Sequence, residues 1–199
     1  KPSGWTSHDV VAAVKKKLGA SKVGHLGPLD PMATGVLPLV INKATRYARF
    51  LDGGRKVYLA TMELGVDTDT YDSEGAVTAA CEVTSTEDEV RKVLSGFMGR
   101  IMQVPPMYSA KKIKGVPLYK LARKGVVVER EANEIEIFEN EIVNISLPFV
   151  EFRISCSRGT YVRSICHDAG RMLGCGGRMT SLRRLGCGEF SDSEAISPD

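Results

Sequence analysis

Five stretches of β-branched or alternating residues, at 56–64, 76–83, 134–138, 141–146 and 149–157, constrain this chain most. They read as strands. Helix signals fall between and outside them. Thr6 and Asp9 form a capping pattern, after which Val10, Val11, Val14 and Leu18 make one apolar stripe that Gly19 ends. Thr86 and Glu89 repeat the pattern ahead of Val90, Val93, Leu94 and Phe97. A third helix is expected within 157–174, with Thr160 as N-cap and Val162, Ile165, Ala169 and Leu173 on its buried side. Strands in runs with helices inserted predict an α+β fold with a mixed, largely antiparallel sheet.

At 199 residues and 43% hydrophobic content, a single domain can bury most of its apolar surface without metals or disulfides. The five cysteines (Cys81, Cys156, Cys166, Cys175, Cys187) are odd in number and contain no C-x-x-C pair. That argues against a disulfide framework and a zinc site, and for a reduced, cytoplasmic compartment. No apolar run approaches the roughly 20 residues a bilayer span needs, and the opening KPSGWTSHDV is no signal peptide. There is no P-loop, no G-x-G-x-x-G and no metal-ligand spacing among the three histidines, so neither cofactor nor metal is expected.

The net charge of +3 conceals segregation. Residues 57–90 hold nine acids and no Lys or Arg; 100–124 hold seven bases and no acid; 153–188 hold seven Arg and one acid, Asp168. Such blocks are either ordinary solvated faces or the basic face of a polyanion binder. The stretch 103–125 has three prolines and little periodicity, with a short helical look at 118–123. It reads as an excursion from the sheet. Its cations, interleaved with Tyr108 and Tyr119, suit phosphates and bases, the alternative being a solvated surface loop.

Residues 23–38, VGHLGPLDPMATGVLP, hold three glycines, three prolines and a single acid, Asp30. By spacing alone an Asp before Pro is a turn former; the alternative is a functional carboxylate. Arg163 falls in the first turn of the expected third helix, where the dipole disfavours a cation, so an anionic partner is called for. Asp30 is a candidate.

GHLGPLDPMATGVLP, KPSGWTSHDVV, KVYLATMELGVDTDTYDSEG, QVPPMYSAKKIKGVPLYKLARKG, SRGTYVRSICHDAG and LGCGGRMTSLRRL occur in an order that resembles the bacterial TruB family, the tRNA pseudouridine-55 synthases. The resemblance spans essentially the whole chain, departing at Leu26 and Pro28, where the family more often has Thr. It implies the pseudouridine synthase fold over 1–199, an RNA-binding thumb insertion at about 103–125, and the absence of a C-terminal PUA-like domain. It implies isomerisation of uridine in the T-arm stem-loop of tRNA by a monomer that needs no cofactor, membrane or obligate protein partner. The catalytic residue of the family falls on Asp30, supported by Tyr58 and Arg163. Substrate contacts fall on His25, Tyr161, Leu182 and Lys1, the last beside Pro2. RNA contacts are expected from Tyr108, Lys111, Lys112, Lys114, Arg123, Arg178, Arg183 and Arg184. Arg163 would keep Asp30 ionised and aimed, Tyr58 would stack on the extruded uracil and assist loss of its C5 proton, and His25 would fill the space the base leaves. A non-catalytic RNA-folding module, a base-excising glycosylase and an archaeal guide-RNA-dependent synthase are the competing readings.

Overall fold

Alternation at Lys56–Leu64 produces the strand about which the rest is arranged: Lys56, Tyr58, Ala60, Met62 and Leu64 are buried, and the residues between them are half-buried. A computed structural model of the chain describes residues 1–51, 54–113 and 115–198. In chain order the elements are α1 (Ser7–Lys17), β1 (Val23–His25), β2 (Thr34–Gly35), β3 (Leu39–Ile41), α2 (Ala48–Leu51), β4 (Lys56–Leu64), β5 (Val66–Thr68), β6 (Val77–Ala80) and α3 (Glu87–Ser95). There follow β7 (Gly99–Gln103), β8 (Lys112–Ile113), β9 (Val116–Pro117), α4 (Leu118–Ala122), β10 (Asn133–Ser146), β11 (Phe149–Cys156), α5 (Val162–Met172), β12 (Gly177–Cys187) and β13 (Phe190–Ser191). The main sheet has seven strands in the order β13-β12-β4-β11-β10-β7, with β2 laid against β12. Only the β2–β12 pair is parallel within it. The expected α+β fold with a mixed, largely antiparallel sheet is the one formed.

The core lies on one face of this sheet. Met62 and Leu64 of β4, Val150, Phe152 and Ile154 of β11 and Ile135 and Ile137 of β10 meet Val90 and Leu94 of α3 and Val162, Ile165 and Ala169 of α5. Burying one such side chain contributes about 1.5–3 kcal/mol, so the face that carries α5 is held firmly. Both N-terminal capping boxes form, Thr6 with Asp9 and Thr86 with Glu89.

Four details differ from expectation. The 76–83 stretch contributes only Val77–Ala80, all exposed, paired with β5 outside the main sheet. The two stretches at 134–146 are one strand of 14 residues, whose register shifts at two irregularities absorb the break in alternation. Tyr161, not Thr160, caps α5, because the Thr160 hydroxyl turns back to donate to the Ser157 carbonyl. Leu18 is 59% exposed, since α1 buries only the Val10 and Val11 end of its stripe.

What places the 23–38 segment is Arg184 on β12. Its side chain is wholly buried, and its Nε donates to the Val36 carbonyl at 2.8 Å and its Nη2 to the Gly27 carbonyl at 3.1 Å. Val36 N returns a bond to the Arg184 carbonyl at 2.9 Å. Between these ties the chain closes a turn, Ala33 N to Asp30 O at 3.0 Å. Gly35 makes the close approach possible: its φ is +100°, and a Cβ there would stand 2.1 Å from the Arg184 carbonyl oxygen. Gly35→Ala should therefore cost about 2–4 kcal/mol in urea unfolding. Gly24→Ala, whose Cβ would meet only a Val40 methyl at 3.5 Å, should cost under about 1 kcal/mol.

Candidate active site

Arg163 stands in the first turn of α5 with 4% of its side chain exposed. Its Nε lies 3.0 Å from Asp30 Oδ2, and its Nη2 donates to Asp30 Oδ1 at 3.1 Å. The guanidinium meets the carboxylate side-on, with one hydrogen bond from Nη2 and a charge–charge contact from Nε, which has no hydrogen-bond partner of its own among the described residues. Nη2 also donates to the Tyr108 carbonyl at 2.8 Å and Nη1 to the Thr70 carbonyl at 3.2 Å. One cation thus gathers three segments: the turn after β1, the loop after β5, and the stretch after β7. Asp30 remains 34% exposed, so its carboxylate faces outward from a buried counter-ion.

The outward side is an open cleft of about 630 Å³. Asp30, His25, Tyr58, Tyr108, Tyr161, Arg163, Leu182 and Arg123 line it. Burial pushes the Tyr58 hydroxyl up to about 12, against the pull of neighbouring Arg184, so at neutral pH it is a phenol. Tyr161 is fixed by Gln103, which donates from Nε2 to its carbonyl at 3.1 Å and accepts from its N–H at 2.8 Å. The Arg163 guanidinium lies 5.7 Å from the Tyr161 ring centroid. Among the described residues no group of three or more His, Cys, Asp or Glu side chains is arranged to hold a metal ion, and no helix is long and apolar enough to cross a membrane.

The remaining expected contacts scatter. Lys1 does not face the cleft: its Nζ donates to the carbonyls of Pro2, Trp5 and Pro31 at 2.5–2.9 Å, fastening the N-terminal segment beside Asp30. Arg184, expected on a phosphate, is inaccessible and serves as the loop staple described above. Arg178 is half-buried and paired with Glu63 at 2.8 Å. Arg183 is exposed, pairs with Asp192 at 3.1 Å and lines a shallower neighbouring groove. Lys111 donates to Asn133 Oδ1 at 2.8 Å, Lys112 is exposed on β8, and Arg123 is exposed beside the Tyr119 ring. Lys114 lies outside the described residues.

Comparison with known proteins matches residues 15–162 to the N-terminal domain of TruB family pseudouridylate synthases. The chain belongs to the TruB family. Residues 163–198 match the C-terminal domain of tRNA pseudouridylate synthase B. The TruB relative from Clostridium acetobutylicum, a tRNA pseudouridine synthase B, is 50% identical over 98% of this chain and 68% of its own. That from Geobacter sulfurreducens is 53% identical over 99% of this chain and 65% of its own. Among solved structures, the crystal structure of a Cbf5-Nop10-Gar1 complex superposes with a TM-score of 0.75 and 35% identity over 96% of this chain. An H/ACA RNP bound to a substrate RNA containing 2′-deoxyuridine gives 0.72 and 31% over 99%. The chain spans about two thirds of those curated TruB relatives and 48% of each structural neighbour.

Sequence reasoning missed Asp72, which in this TruB chain is 5% exposed on the cleft wall. Its Oδ1 accepts from the Thr70 hydroxyl at 2.6 Å and from Glu74 N at 3.1 Å. Tyr71 between them adopts φ +66° and stacks on His167 of α5 at 3.8 Å, with the rings 8° from parallel. His167 Nδ1 is 3.1 Å from Asp67 Oδ1. The Y-D-S-E-G turn was the only hint. Burial pushes the Asp72 carboxyl above its ordinary range, against the Thr70 hydroxyl and Arg163, which draw it down. A carboxyl raised on folding contributes stability below its unfolded value of about 3.9 that is lost as pH climbs through the folded one. In urea titrations, wild type minus Asp72→Asn stability should therefore decline as pH rises above about 4.

Proposed function

We propose that this chain isomerises uridine to pseudouridine in the T-arm stem-loop of tRNA, acting as a cytoplasmic monomer without a cofactor. The observation that carries the reading is a one-third exposed Asp30 carboxylate held side-on by the buried Arg163 at the wall of an open cleft, in a chain of the TruB family. In the reaction the C1′–N1 bond breaks, the uracil turns over, and C5 bonds to C1′ as its proton is lost and N1 gains one. Asp30 is the group aimed at the ribose. Arg163 supplies the charge that orients it and, tied by Nη1 and Nη2 to Thr70, Tyr108 and Asp30, does not wander when substrate enters.

Tyr58, a buried phenol, offers the extruded base a ring to stack on rather than a phenolate base. Tyr161 and Leu182 complete the pocket, and His25 lines the side from which the base is drawn. Lys112, Arg123 and the rest of the basic 103–125 stretch act as the thumb that grips phosphates, which position the RNA without reading its sequence.

Asp30→Asn assayed on a T-arm stem-loop should lose activity about a thousandfold or more, read both as pseudouridine and as tritium released from C5. Free uracil instead of pseudouridine from wild type would turn the reading toward a base-excising enzyme. Joint Lys112→Gln and Arg123→Gln should raise KM with kcat intact and flatten log K against log salt by roughly 1–2.

A further inference from the structure

Among the described residues only Asn42 and Tyr71 combine a side chain with a positive φ. Asparagine tolerates that conformation; a bulky ring adopts it only at a cost in free energy. The ring itself is therefore what position 71 keeps. It lies flat on His167, with centroids 3.8 Å apart and planes 8° from parallel. His167 follows Arg163 by four residues on α5, which puts both side chains on one face of the helix. Both grip the same turn: Arg163 Nη1 donates to the Thr70 carbonyl at 3.2 Å, and the His167 ring covers Tyr71.

The imidazole is itself held. Its Nδ1 lies 3.1 Å from Asp67 Oδ1, which also accepts from Gly177 N at 3.1 Å, so the ring is tied to β5 and through it to the start of β12. Neither His167 nor Tyr71 lines the cleft. Any influence on the chemistry must pass through Arg163. The Nε of that residue contacts Asp30 without a hydrogen bond, so the plane of the guanidinium is set by its two terminal nitrogens. A rigid planar group pivots as one body: if the Thr70 carbonyl moves, Nη1 follows it and the Nη2 that meets Asp30 turns too.

We propose that His167 is a positioning residue for the isomerisation proposed above, on which this inference rests. Its ring holds Tyr71 at positive φ, which keeps the Thr70 carbonyl at Arg163 Nη1 and thereby fixes the angle at which Arg163 presents Asp30 to the ribose. A misaimed reacting group loses rate even where substrate binding is untouched.

The test is single-turnover pseudouridine formation on a T-arm stem-loop, read as the rate at saturating enzyme and the enzyme concentration that gives half of it. Wild type must first form pseudouridine; if it forms none, the isomerase reading itself falls and this inference with it. Given that activity, His167→Gln, which can still donate to Asp67 but has no ring, should lower the saturating rate about tenfold and change the half-saturating concentration less than about threefold. Tyr71→Asn, which accepts positive φ but cannot stack in the same way, should lower the rate by about the same factor. His167→Phe and Tyr71→Phe retain the rings and should keep at least about a third of the wild-type rate. Because both losses fall in one stack, the joint His167→Gln and Tyr71→Asn variant should be slower by about tenfold, not about a hundredfold. Losses that multiply, phenylalanine variants as slow as the ringless ones, a change confined to half-saturation, or unchanged rates would each overturn the assignment while leaving the isomerase reading intact. Melting temperatures identify a variant that fails to fold; should His167→Gln do so, Tyr71→Asn against Tyr71→Phe carries the same comparison.

Discussion

The Arg163 guanidinium is the constraint on which the mouth of the cleft depends. It occupies the wrong end of its helix, where the α5 dipole repels a cation, and it is buried, where an unpaired charge is expensive. Both penalties are offset by one carboxylate and two carbonyls from three segments far apart in the chain. The helix cannot shift, because Val162, Ile165 and Ala169 anchor it to the sheet. The segments therefore come to the cation. Beneath them Arg184 does the same for the ends of the Asp30 loop without any carboxylate among its hydrogen bonds.

Charge that is segregated in sequence is not segregated in space. Of the nine acids between residues 57 and 90, Glu63 pairs with Arg178, Asp67 with His167 and Gly177 N, Asp69 with Ala76 N and Tyr108, and Asp72 with Thr70 and Glu74 N. Asp67, Asp69 and Asp72 shape the segment from β5 onward into a scaffold that fixes the Thr70 carbonyl under Arg163. The exposed cations of the 103–125 stretch are left facing outward.

Much of this was legible beforehand for reasons that are local. Alternation over 56–64, two capping boxes and a cation in a first helical turn each depend on a few adjacent residues, and each found its counterpart. The need of Arg163 for an anion, and the isolation of Asp30 in a rigid loop, point at one another in the sequence itself. Partnerships over long separations were not legible. Arg183 and Arg184 read as a pair of surface cations; only the register of β12 against β4 and β2 turns one outward and the other into the core. Arg178 looked free until the same register set it across from Glu63. The 76–83 stretch carries strand residues but lies beyond the sheet edge, so propensity was right about conformation and silent about burial. Asp72 was hidden among eight other acids, and its distinction is depth, which composition does not record.

The Tyr108 carbonyl is one of the three acceptors that complete the Arg163 shell, while the Tyr108 hydroxyl donates to Asp69 at 3.3 Å. The basic stretch that would meet RNA is thus wired, through its first residues, to the cation that aims Asp30. Displacing Tyr108 would remove an acceptor and leave one of the two Nη2 hydrogens of a buried guanidinium unsatisfied, a cost borne by the same cation that holds the carboxylate. The position of the basic stretch and the aim of the Asp30 carboxylate are thus set at one shared cation.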